Sequence, residues 1–407
     1  MLLWLDGQGH YTTAEIPAKY HGWSSGGIDH PGVTYGACTW SVVPGGGRTS
    51  IGNSLRRAAT GSGSVNLYGY VQPQTTTTRQ GPRTPTTSGV IGFAIKINDL
   101  ATINLTQDGI QWSPAGLVTI IGGSGGYDWS MKLVPHPDGS LAMWRSTNIA
   151  TPDIFAQTAP GVLVNNTWAY LEFLWDVSQA LTGRAVVRVN GATLIDFTGR
   201  TSGLIAPDEW TEVRLLGMPS VDTPQPPPTL PPTPPNPSLT IDICDLYLAD
   251  LTAQLPDDVH GFLGDGTVET FLPRGAGAAS EWLSNIGGAS NWQAVDDPVP
   301  DGDITYIGGA VDATDTYAFG GIAGTRAIAG LQVSVLARVE SVDFPAVIAP
   351  MMRLEPSLTN FPMPADPVTT EAWDRYVVRA AEVSPATNVR FTRAELASAQ
   401  FGVRRTG

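Results

Sequence analysis

Glu172 and Asp176 lie four residues apart in the apolar run 168–177, so in an extended strand both face the same way. Glycoside hydrolysis uses such a carboxylate pair, set about 5–5.5 Å apart for retention or about 6.5–9.5 Å apart for inversion. Trp168, Tyr170 and Leu174 flank this pair, and no Glu-x-Asp-x-Glu or Glu-x-Asp-x-x-Glu run occurs, so no catalytic residue is assigned. Gly122-Gly-Ser124-Gly-Gly126 satisfies Gly-x-Ser-x-Gly, but a nucleophile elbow needs a strand before it and a helix after it. Here 127–133 reads as a further strand, which makes the stretch an inter-strand loop.

His10, His21 and His30, with Asp29 beside the last, could ligate a metal only if the fold brought them together. Asp296-Asp297 and Asp301/Asp303 offer carboxylates for Ca²⁺ but lack the alternation of a calcium loop, and read as solvated turns. No metal and no cofactor is assigned. Aromatic faces stack on sugar rings, and among the 12 tryptophans Trp23 and Trp112 sit near Gly, Ser and Pro, making them the candidate glycan contacts. Trp129, Trp168 and Trp175 fall inside strand patterns and read as core.

The 407 residues allow two to three domains at about 150 residues each. Hydrophobic residues make up 42% and charged residues only 15%, with 46 Gly and 33 Pro, a composition for short strands and tight turns. The formal net charge of −14 removes the electrostatic basis for binding nucleic acid. Of 23 basic residues only Lys19, Lys96 and Lys132 are lysines. Residues 1–6 have neither the charge pattern nor the apolar length of a secretory leader, and no apolar run reaches membrane-spanning length. Cys38 and Cys244 are too few for a disulfide framework or a zinc site and read as buried small residues; whether they are neighbours stays open.

Alternation predicts the positioning elements. Ile91, Phe93, Ile95 and Ile97 share one face of a strand, and Met131 and Leu133 lead into His136-Pro-Asp-Gly139, from which Leu141 to Trp144 departs. Asn190-Gly191 closes a hairpin between 185–189 and 192–197, and Asp108-Gly109 is a further candidate turn. The run 168–177 is apolar on both faces, as in a central strand. Nine prolines between Pro224 and Pro237 must be extended, and because a strand resumes at 239–248 we read them as a long hairpin loop. Residues 75–87 form a second polar excursion. Further strands are expected at 304–307, 316–319, 331–339 and 376–378, and a short helix capped by Thr392 at 392–399.

Three stretches carry a resemblance: Asn166-Thr-Trp-Ala-Tyr-Leu-Glu-Phe173 with 181–199, the run Asp242 to Leu251, and Gly261-Phe-Leu-Gly-Asp-Gly-Thr-Val-Glu-Thr270 with Asn291-Trp292 and 301–306. With the ending 394–403, they resemble a family of bacteriophage virion proteins that begin with a concanavalin A-like (laminin G-like) jelly roll. The resemblance implies an all-β fold of two tandem β-sandwich domains. The jelly roll would span 1–252, with a proline-rich loop insertion at 222–238, and a C-terminal sandwich would span 260–407. It further implies a non-catalytic structural component of a tailed-phage virion, on tail, tail tip, neck or capsid surface. Its partners would be copies of itself and other virion proteins, with no nucleic acid and no membrane span. The alternative is a glycan-binding host-recognition module on the tail periphery.

Overall fold

Asn190 and Gly191 both take positive φ (51° and 81°), which folds the chain back on itself as the two-residue turn requires. In a computed structural model, this hairpin forms one edge of a β-sandwich. The described residues are 2–20, 22–23, 37–49, 52–60, 71–72, 87–103, 116–122, 129–146, 152–178, 180–202, 210–217, 239–251, 261–287, 289–321, 325, 327–354, 359–373 and 376–407.

Sheet A contains β1 (Leu2–Asp6), β3 (Ala37–Val43), β4 (Ser54–Thr60), β6 (Ser88–Ile97), β11 (Ala169–Asp176), β12 (Gly183–Val189), β13 (Ala192–Gly199) and β15 (Leu239–Asp250). Its order is β13-β12-β11-β6-β15-β4-β3, with β1 also on β15. Sheet B contains β2 (Gly22–Trp23), β5 (Val71–Gln72), β7 (Gly116–Gly122), β8 (Trp129–Pro135), β9 (Leu141–Ser146), β10 (Pro152–Gln157) and β14 (Trp210–Gly217), in the order β10-β9-β8-β7-β14-β5-β2. All recorded pairings are antiparallel, for example β11 on β6 and β7 on β8.

The alternating residues meet between these sheets. Ile91, Phe93, Ile95, Leu171, Phe173 and Trp175 from sheet A pack against Val118, Ile120, Met131, Leu133, Leu141 and Met143 from sheet B. Each such side chain, fully buried, contributes about 1.5–3 kcal/mol. On β15 the inward set changes parity, from Ile241 and Ile243 to Leu246 and Leu248. A bulge explains the change: the register breaks after Cys244, and Asp245 takes φ 53°.

The all-β sandwich architecture is as expected, but the proline-rich segment does not close a hairpin. The strand before it, β14, belongs to sheet B and the strand after it, β15, to sheet A, so the two are not hairpin partners. The prolines themselves, like 75–86 and Asp108-Gly109, lie outside the described residues.

The C-terminal unit has β16 (Gly275–Ser280), β17 (Leu283–Ser284), β18 (Ile307–Gly308), β19 (Thr314–Ala318), β20 (Leu331–Leu336), β21 (Ala346–Leu354), β22 (Thr359–Pro362), β23 (Asp366–Val368), β24 (Tyr376–Ala381) and β25 (Gln400–Arg405). One sheet runs β16-β19-β25-β21-β22 with β23 on β21, and the pair β20-β24 forms a second layer. Within that pair β24 is largely buried and β20 half-buried. Val377 joins the C-terminal core while Tyr376 and Val378 join the core of the first sandwich. On β20, Leu331, Val333 and Val335 turn toward the C-terminal cores. Gln332 instead accepts the Leu5 amide at 2.8 Å, and Ser334 accepts from Lys19, which ends the short helix α1 (Ile16–Lys19).

The expected strand at 304–307 shrinks to β18, because the Asp301 carboxylate accepts both the Thr305 amide (3.0 Å) and hydroxyl (3.0 Å), folding 301–305 into a turn. Helix α2 (Arg393–Ala397) forms as expected, its Thr392 hydroxyl accepting the Glu395 amide at 3.1 Å.

Candidate functional site

Glu172 sits on the outer face of sheet A and is almost wholly buried. One carboxylate oxygen accepts the Tyr247 hydroxyl at 2.6 Å and the Gly264 amide at 2.8 Å. Gly92, opposite Glu172 in the register, leaves room for the Tyr247 ring, since a Cβ there would stand 2.2 Å from it. The segment from Phe262 onward lies across this face. Leu263 donates to the Tyr247 hydroxyl, Val268 donates to the bulged Asp245, and the Arg188 guanidinium stacks 4.0 Å from the Phe262 ring centre. Burial and the neighbouring Glu172 push the Tyr247 phenol well above its ordinary value. Glu172 is therefore an anchor for the chain entering the second unit. Asp176 shares its strand and face, but is only half-buried and takes no part in this anchor.

Sheet B turns a different set outward. Thr119, Lys132 and Trp144 occupy one cross-strand row, Thr119 opposite Lys132 and Lys132 opposite Trp144, on the central strands β7, β8 and β9. Their sequence neighbours Val118, Ile120, Met131, Leu133 and Met143 fill the core, so alternation places the row on the other face. Val134 and Ala142 extend it as a small apolar cluster with Trp144. The outer face of an antiparallel sandwich is ordinarily solvated, yet Thr119, Lys132 and Trp144 are each 1–2% exposed. Among the described residues, Thr119 Oγ1 and Trp144 Nε1 have no hydrogen-bond partner. Each orphaned group costs about 1–3 kcal/mol. The row thus combines a cation, an aromatic face, a hydroxyl and an indole N–H, two of them with unfilled hydrogen-bonding capacity.

This row is not among the candidates read from sequence. The signal was present, since Lys132 and Trp144 occupy the polar parity of strands whose other parity is Met131, Leu133, Leu141 and Met143. Of the candidates read from sequence, those with described side chains do not converge. Residues 123–128, including Ser124, lie outside the described residues; the strands on either side, β7 and β8, pair antiparallel. His21, Asp29, His30 and Trp112 also lie outside it, and Trp23 is placed only by its backbone, opposite Val71. His10 is taken up by Lys19, whose Nζ lies 2.7 Å from its Nε2. Asp297 and Asp301 both accept the Thr305 hydroxyl, and Asp303 accepts from Arg338 and Trp373. Among the described residues, no three His, Cys, Asp or Glu side chains gather as a metal site, and no helix is long and apolar enough to cross a membrane.

Cys38 pairs in register with Ala59, which pairs with Leu239. Cys244 lies five residues further along β15, about 16 Å away at about 3.3 Å per residue, beyond the roughly 7 Å limit for a disulfide.

No protein-family model matches the sequence, and no curated protein matches it. Among solved structures, a variant of alginate lyase Aly36B in complex with alginate tetrasaccharide is similar at 12% identity and a TM-score of 0.35, covering 61% of this chain and 96% of that one. Endo-beta-1,4-glucuronan lyase from the fungus Trichoderma reesei aligns at 12% identity and a TM-score of 0.32, covering 57% of this chain and 95% of that one. A botulinum neurotoxin type C structure, described as dependent on two ganglioside molecules for cell entry, aligns at 12% identity and a TM-score of 0.27, covering 58% of this chain and 49% of that one.

These findings correct the expectation of a non-catalytic structural component of a phage virion. The solved structures named here that resemble the chain include polysaccharide lyases. The likeness is too distant to carry any of those proteins' substrates or reactions to this chain.

Proposed function

We propose that the first sandwich acts on an acidic polysaccharide, held against the outer face of sheet B by Lys132, Trp144 and Thr119. The observation that carries this reading is the row itself, in which a lysine stands directly opposite a tryptophan at the centre of the sheet, with unfilled hydrogen-bonding atoms on either side. A uronate ring presents a carboxylate, hydroxyls and an apolar C–H face, and the row offers an ammonium, donors and an indole in the same order of kind. Away from bulk water the ammonium–carboxylate attraction is screened less than at an open surface. Neutralising the uronate carboxylate is also the first requirement of β-elimination, in which a base removes the proton next to that carboxylate and the glycosidic oxygen leaves from the adjacent position. Lys132 supplies that neutralisation.

The test is affinity electrophoresis of the whole chain through gels containing alginate, polyglucuronate or hyaluronan. A parallel ultraviolet assay follows the double bond that elimination creates. We expect saturable retardation by at least one polymer, weakened about tenfold or more by Lys132→Ala, which corresponds to about 1.4 kcal/mol, and also by Trp144→Ala. Absence of retardation on all three polymers, or retardation indifferent to Lys132→Ala, would sink the reading. New absorbance would extend it from binding to cleavage.

A further inference from the structure

Thr270, Phe271, Arg274, Trp292 and Asp296 line an open cleft of about 410 Å³ in the C-terminal unit. The volume falls in the range of small-molecule sites. Its aromatic wall is fixed in advance. Trp292 sits on a 3-10 turn (Asn291–Ala294) opened by a capping box between Ser290 and Gln293. The Asn291 side-chain amide pins that turn to the sheet by donating to Trp282 O at 2.8 Å, Asp315 Oδ2 at 2.9 Å and Ser280 Oγ at 3.3 Å. The 270–274 stretch is held by the backbone, where the Arg274 amide donates to Ala318 O at 2.8 Å just ahead of the β16–β19 pairing. Phe271 is 36% exposed, so its ring remains available.

The charges in this cleft are uncommitted. Arg338 and Asp303 bond at 2.7 Å, Arg404 and Asp312 at 3.1 Å, and Arg184 and Asp196 at 3.1 Å. Arg274 and Asp296 line one cleft, yet among the described residues neither side chain has a hydrogen bond or ion pair. A carboxylate can accept from two adjacent hydroxyls, and a guanidinium can donate to a ring or hydroxyl oxygen through its fixed fork. An aromatic wall covers the C–H face of a sugar ring. The lining carries one positive and one negative side chain, so it gives an anionic sugar no net attraction, in contrast to the Lys132 row.

We propose that this cleft binds a neutral pyranose unit, independently of the site on sheet B. The cleft is assembled from residues near β16 and the 291–294 turn, and shares no residue with sheet B.

The experiment is isothermal titration of the whole chain with cellohexaose, maltohexaose, mannohexaose and chitohexaose. The same titrations follow for Trp292→Ala, Asp296→Asn and Lys132→Ala, with thermal melts to confirm folding. Asp296→Asn keeps size and shape and removes no hydrogen bond within the described structure, so it separates loss of binding from loss of fold. We expect one of the four sugars to bind and to lose about tenfold or more in affinity in both Trp292→Ala and Asp296→Asn, while Lys132→Ala leaves it unchanged. Retardation by acidic polymers should be unaffected by Trp292→Ala. Failure of all four sugars to bind overturns the proposal, as does binding indifferent to Asp296→Asn, or acidic-polymer binding that disappears with Trp292→Ala.

Discussion

Lys19 Nζ lies 2.7 Å from His10 Nε2, enclosed by the rings of Trp4 at 5.0 Å and Tyr376 at 5.1 Å. Asp6 completes the cluster, accepting the hydroxyls of Tyr11 at 2.9 Å and Tyr20 at 2.6 Å. Because Tyr376 and Ser334 come from β24 and β20, this cluster joins the N-terminal segment to the C-terminal unit.

Its titration predicts a stability profile. Burial brings Lys19 down to about 8, so between there and its unfolded value of about 10.4 the unfolded chain binds more protons and stability rises with pH. Burial, then the Lys19 charge, holds His10 well below its ordinary range, so stability falls as pH drops through about 6.5. Burial and Asp6 raise Tyr11 and Tyr20, so stability falls again above about 10. Urea midpoints should therefore be higher near pH 9.5 than near pH 7.5, by an amount that Lys19→Met largely removes. Equal midpoints at the two pH values would contradict this account of the cluster.

Tyr247→Phe removes one of two donors to the buried Glu172 oxygen without creating a cavity. The expected loss is about 1.5–3 kcal/mol in denaturant unfolding. Limited proteolysis should show faster cleavage near Gly264, because the same hydroxyl also accepts the Leu263 amide. An unchanged unfolding midpoint would mean that Glu172 does not anchor the crossing segment.

Thr119→Val should raise stability while lowering function. It replaces a buried hydroxyl that has no partner with a methyl group, worth about 1 kcal/mol or more in the free protein. Retardation in acidic-polymer gels should weaken at the same time, the exchange expected of a group held ready for a ligand. A variant that is both less stable and unchanged in binding would count against the row as a site.

Cys244 is buried, and burial followed by the neighbouring Asp245 pushes its thiol up to about 12. A thiol reagent near pH 8 should label Cys244 only after denaturant is added, read by peptide mass spectrometry. Native labelling at Cys244 would show that the β15 bulge opens.

Residue pattern alone placed seven of the fifteen strands of the first sandwich. Period-2 runs such as Ile91 to Ile97 have one parity apolar, and a slip of one residue would turn that whole set toward water, so pattern fixes both strand and face. Asn190-Gly191 and Asp138-Gly139 fixed their hairpins because those turns need residues that tolerate positive φ. Local patterns cannot report which strands become neighbours. That Glu172 meets Tyr247 and Gly264 rather than Asp176 depends on β11, β6 and β15 lying side by side and on a segment nearly a hundred residues later crossing them. Lys132 and Trp144 likewise became a pair only through the β8–β9 register, and Arg274 and Asp296 only through the folding of the second unit. Alternation specifies a side chain's face at short range, whereas the chemistry of a site requires convergence of distant segments, which is a property of the packed sheets.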